Sequence, residues 1–183
     1  MINLAIDRLS RILGCPWFVI SAIGLLFGAG SFQGLEMTDE GFWGCFYQQI
    51  FYVPHTSQVF EFLYWFTGVV GGVWNWLWPS GGLLGFRLLG VLILCATMVL
   101  SASILKPYVD RRVISLSLLL CGLLQNNVPN IFYEKNWCGF LAVCMAFCLH
   151  RGLVRQKEGW LFAGGAVGAV MAFSRIPSVV MLL

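Results

Sequence analysis

Five stretches of this chain are apolar over nearly the length of a bilayer crossing: about 12–35, 82–105, 113–128, 137–151 and 159–183. A helix rises about 1.5 Å per residue, so roughly 20 apolar residues carry it through the hydrocarbon. An all-α polytopic membrane protein with about five transmembrane helices is the fold class this pattern predicts. Composition excludes the alternatives, since 59% hydrophobic with 10% charged residues fits neither an ordinary soluble domain nor a disordered chain. A net charge of +3 is too small to imply nucleic acid as a partner. Membrane lipid is the expected surrounding. The third and fourth stretches are short and joined by a polar tip containing Asn126, Asn127 and Asn130, so they are expected to be tilted or partly inserted.

Residues 1–35 carry Arg8 and Arg11 ahead of a run too long for a signal-peptide core, with no small-residue cleavage site after it. They read as a retained signal-anchor helix with a cytoplasmic N-terminus. A sixth apolar stretch, 59–78, would reverse the topology of everything after it. The positive-inside rule separates the two possibilities. With 59–78 outside, Arg8, Arg11, Lys106, Arg111, Arg112, Arg151, Arg155 and Lys157 are cytoplasmic, eight against Lys135 alone. With 59–78 crossing, the better orientation gives six against three. Residues 36–81 are therefore expected to form a large non-cytoplasmic loop, followed by four further spans in 82–183.

That loop has internal pattern. Trp43, Phe46, Tyr47, Ile50 and Phe51 recur at helical spacing, with Gln48 and Gln49 opposite and Pro54 ending the run. The spacing predicts an amphipathic helix lying at the membrane surface. Tyr64, Trp65, Trp74, Trp76 and Trp78 then supply an interfacial aromatic belt, which Gly68, Gly71 and Gly72 are expected to interrupt. Two interfacial helices could simply shape the surface, or could wall a groove that admits a lipid headgroup.

Acid is scarce here, with eight Asp and Glu in 183 residues, which makes the pair Asp39-Glu40 conspicuous. It stands just ahead of the amphipathic helix. Thr38 or Asp39 could cap that helix and leave Glu40 free. Alternatively, a carboxylate at the surface could act as general base toward an acceptor hydroxyl, or the pair could hold a divalent cation that nothing in the sequence requires. Arg87 lies about 7 Å into the second span and Arg175 about 24 Å up the fifth, which brings both toward the outer leaflet. Guanidinium groups grip phosphate oxygens in bidentate fashion, so a lipid phosphate is a natural ligand. The competing reading pairs these arginines with Glu36, Glu40 or Glu61. Seven cysteines without a CxxC, and His55 and His150 without neighbouring ligands, give no protein zinc site. Gly164, Gly168 and Ala172 form a small-residue stripe for helix packing, with Pro177 expected to kink the outer end of the last span.

Thr38-Asp39-Glu40-Gly41-Phe42, Phe86-Arg87-Leu88 and Ser174-Arg175-Ile176-Pro177, in this order and topology, resemble the GT-C superfamily of membrane glycosyltransferases, which includes aminoarabinose and protein-mannose transferases. The resemblance covers nearly the whole chain. It implies inverting transfer of a sugar from a polyprenyl-phosphate donor to a glycan, lipid or protein acceptor on the non-cytoplasmic face. It makes Asp39 the catalytic base and Glu40 its metal or acceptor partner, with Arg87 and Arg175 on the lipid phosphate. Such enzymes usually have nine or more spans, so this chain is expected to be the N-terminal part of a longer enzyme, weak or inactive alone. A non-enzymatic membrane subunit, part of a transporter or an assembly scaffold, is the alternative reading.

Overall fold

The computed structural model describes residues 14–32, 39–51, 63–124 and 131–175. Arg8, Arg11, Glu36, Thr38, Pro54, His55, Glu61, Asn126, Asn127, Asn130 and Pro177 lie outside them, as does the side chain of Asp39. The described residues are all-helical: α1 (Pro16–Gly30), α2 (Asp39–Gln49), α3 (Trp65–Leu77), a 3-10 turn (Pro79–Gly81), α4 (Gly82–Leu105), α5 (Arg111–Leu124), α6 (Glu134–Arg155) and α7 (Glu158–Ser174).

Local sequence sets several of these boundaries. Pro16 opens α1, where its missing N–H costs nothing. Gly82 has φ of +49°, a conformation that a side chain would strain, and so lets the 3-10 turn run directly into α4. α6 begins at Glu134 and ends at Arg155, seven residues more than the 15 of its apolar run, because acid at the start and base at the end suit the helix dipole. α7 ends at Ser174 and Arg175 turns extended (φ −162°), short of the continuous span expected to residue 183.

Two of these helices are long and apolar enough to cross a membrane, Pro79–Leu105 with its leading turn (27 residues) and Glu134–Arg155 (22 residues). α1, α5 and α7 have 15, 14 and 17 residues. At about 1.5 Å per residue they cover roughly 21 to 26 Å, so the expected five crossings are met only in part. The bundle is dressed in apolar side chains, with Leu25, Leu92, Leu123, Leu153 and Phe162 all exposed. Its interior is made of helix faces: Val19, Ile20, Ile23 and Phe27 of α1 pack on Val91, Met98 and Ala102 of α4 and on Ile114 and Leu118 of α5.

Contacts define two ends. At one, here the Glu40 end, Ser31 meets Arg87 and Phe132 meets Phe86, while Trp137 meets Ser174. At the other, the Lys106 end, the start of α1 meets the end of α4 and the start of α5, and Tyr108 bonds His150 across 2.7 Å. α3 lies across the Glu40 end. Thr67 near its start donates to the Ser174 carbonyl at 3.2 Å, and Trp74 near its finish donates to the Gly85 carbonyl at 3.0 Å. The glycines expected to interrupt this stretch instead sit inside one helix. Gly68, Gly71 and Gly72 form its contact face on α2, where a Cβ at 71 would enter the Tyr47 ring. Burial against aromatic side chains offsets the helix propensity they give up.

Candidate functional site

α2 starts at Asp39, so both acids occupy its first turn, where the free amides and the helix dipole favour negative charge. Asp39 is thus the first residue of the helix and not a cap ahead of it, while Thr38 lies outside the described residues. Glu40, the second helical residue, points inward and is fully buried. Opposite it on the second turn of α4 is Arg87, 2% exposed. Arg87 Nε donates to Glu40 Oε1 at 3.2 Å, and Nη2 donates to Oε2 at 2.6 Å. Arg87 Nη1 donates to the Ser31 carbonyl at 2.9 Å, just past the end of α1. One guanidinium thus joins the end of α1, the start of α2 and the body of α4.

This geometry differs from the expectation that Glu40 is free and that Arg87 is open to a lipid phosphate. Two charges taken out of water lose several kcal/mol of hydration each, and only a close bidentate pair with its remaining donors used repays that. The carboxylate and guanidinium faces turn toward each other, so neither presents an open face to a ligand. Among the described residues no three His, Cys, Asp or Glu side chains come together to hold a metal ion.

An aromatic wall fixes the pair. Trp43, Phe46 and Tyr47 of α2 bury against Phe86 and Leu89 of α4 and against Ile131 and Phe132. The Tyr47 hydroxyl donates to the Phe132 carbonyl at 2.8 Å, and the Phe132 amide donates to the Phe86 carbonyl at 3.1 Å. Burial pushes the Tyr47 phenol well above its ordinary value of 10.0, and the nearby Glu134 and Tyr133 add to the rise. Glu134 is buried at the start of α6. Its neighbourhood with Tyr47 spans two segments far apart in sequence, which no local pattern could signal.

Arg175 stands at the same end but outside the Glu40–Arg87 pair. Half-buried at the end of α7, it has an Nε that is buried without a hydrogen-bond partner. Ser174 beside it is fully buried, donating to the Val170 carbonyl at 2.7 Å and accepting from Trp137 Nε1 at 3.1 Å. The chain is therefore anchored immediately before Arg175. The arrangement offers one neutralised ion pair that positions the first turn of α2, an acid next to it, and a guanidinium with unused donor capacity. No family model, curated protein or solved structure matches this chain.

Proposed function

We propose that this chain is the membrane-embedded part of a GT-C-like glycosyltransferase, moving a sugar from a polyprenyl-phosphate donor to an acceptor at the Glu40 end. Asp39 is the general base, and Arg175 the phosphate-binding cation. Glu40 and Arg87 act as positioning residues that hold the first turn of α2. The observation that carries this reading is the buried pair itself: it fixes the backbone of Asp39 against the ends of α1 and α4, at the same end as an under-used guanidinium. A base positioned in this way is what proton removal from an acceptor hydroxyl needs.

In this reading five helices cross a bacterial inner membrane, and the Glu40 end faces away from the cytoplasm. Charge supports that orientation. Lys106, Arg111, Arg112, Arg151, Arg155 and Lys157 gather at the Lys106 end against Asp110 and Glu158, whereas among the described residues the other end sets Asp39, Glu40 and Glu134 against Arg87, Lys135 and Arg175. α3, tied at both ends to the Glu40 end, supports keeping residues 36–81 on one side.

The test is transfer of a radiolabelled sugar from a polyprenyl-phosphate donor in membranes containing the protein. Asp39→Asn is expected to abolish transfer while leaving membrane insertion unchanged. Unchanged transfer in that variant reduces Asp39 to a helix-terminus residue. A second reading is favoured by one observation: Glu40 and Arg87 satisfy each other, as in a purely structural subunit or scaffold. It expects no donor-dependent labelling from any variant, wild type included.

A further inference from the structure

The Lys106 end holds a cavity of about 520 Å³ between the start of α1, the last turn of α4 and the start of α5. Trp17, Ser103, Lys106 and Arg111 line it. We propose that this cavity binds the phosphate headgroup of an anionic membrane lipid. The inference rests on the helices crossing a bilayer and not on sugar transfer.

Three features carry it. Lys106 and Arg111 both face the cavity, and among the described residues neither has an ion-pair partner. Asp110, between them in the chain, instead takes the Arg112 amide on Oδ1 at 2.7 Å. Two cations lining one concave site, with no carboxylate among its described lining residues, leave an anion as the complementary ligand. The volume falls in the range of about 300–1,000 Å³ typical of small-molecule sites, which is ample for a phosphodiester with its glycerol. Finally, the residues next in sequence to the lining ones, Phe18, Leu105 and Val113, are exposed, giving acyl chains an apolar surface beside the charged cavity. Free phosphate offers nothing to that surface. Basic cavities between membrane helices on the cytoplasmic side are where anionic headgroups bind.

The experiment uses the whole chain in phosphatidylcholine nanodiscs titrated with phosphatidylglycerol, with bound lipid counted by native mass spectrometry. Lys106→Gln with Arg111→Gln is expected to weaken phosphatidylglycerol binding about tenfold or more. Arg112→Gln with Arg155→Gln removes equal charge at the same end outside the cavity, and should change binding by less than about twofold. Lys106→Arg with Arg111→Lys keeps both charges and should retain binding. Equal losses from the two Gln pairs, or no loss from the first, overturn the proposal. Displacement of the lipid by millimolar inorganic phosphate overturns the lipid source in favour of a soluble anion. Flotation of each variant with phosphatidylcholine vesicles reports insertion separately, and failure to float removes the membrane premise.

Discussion

Breaking the Glu40–Arg87 pair from both sides should cost less than the two single losses summed. Glu40 is fully buried and Arg87 is 2% exposed, so deleting either charge strands the other away from bulk solvent. Arg87→Met leaves the Glu40 carboxylate without the donors that reach both its oxygens, and leaves the Ser31 carbonyl without its 2.9 Å partner. A buried charge stripped in this way costs about 3–5 kcal/mol. Glu40→Gln keeps the shape and one acceptor, and should cost about 2–3 kcal/mol, since Arg87 still reaches Ser31. The double variant, Glu40→Gln with Arg87→Met, has no stranded charge and should recover at least about 2 kcal/mol of the summed single losses. The assay is reversible unfolding in mixed detergent micelles, followed by tryptophan fluorescence and helical circular dichroism. Single losses below about 1 kcal/mol, or a strictly additive double variant, would show that the pair is hydrated and refute its role in fixing the first turn of α2.

Other outcomes follow from neighbouring contacts. Tyr47→Phe removes the bond to the Phe132 carbonyl and should destabilise the fold by about 1–2 kcal/mol in the same unfolding assay. Because the folded protein holds the Tyr47 proton more tightly than the unfolded chain does, stability is full below about pH 10 and falls as pH climbs toward the raised value. Wild type should lose more stability than Tyr47→Phe between pH 9 and about 11, and equal loss in both would remove that account. Gly71→Ala drives a methyl into the Tyr47 ring and should cost about 1–3 kcal/mol, whereas Gly41→Ala, with open space around it, should cost less than about 0.5 kcal/mol. In a cysteine-free background, single cysteines at Ser80 and Gln156 should label from opposite sides of sealed vesicles. Same-side labelling contradicts the parallel placement of α4 and α6, whose starts share the Glu40 end and whose finishes share the Lys106 end.

Much of the helix order could be read from the chain, because apolar runs and amphipathic spacing are local quantities. Gly82–Leu105 coincides with its expected segment, and Trp43, Phe46 and Tyr47 are buried at the spacing that marked them as one face. The extent of α6 was less legible, since counting apolar residues alone stops short of the charged turns that finish a helix. The glycines of α3 misled for a related reason: propensity weighs each residue alone, whereas Gly71 is chosen by an aromatic ring on another helix. At the site, acid and arginine stood out by scarcity, and both a phosphate ligand and a carboxylate partner suited Arg87. Choosing between them required knowing that residues 47 positions apart meet in a dry interior, which is a tertiary fact. Glu134 beside Tyr47 gave no local sign at all.

The link among Ser31, Glu40 and Arg87 also bears on how the protein is made. During synthesis the acid emerges well before its cation, which lies 47 positions later in the chain. In the proposed membrane reading, Glu40 stays hydrated until α4 has entered the bilayer, and the aromatic wall of α2 has no partner to dock on until then. In that reading the first loop seats only after α4, the first of the two long helices, is threaded, so its closure acts as a built-in checkpoint on insertion of the helices up to α4.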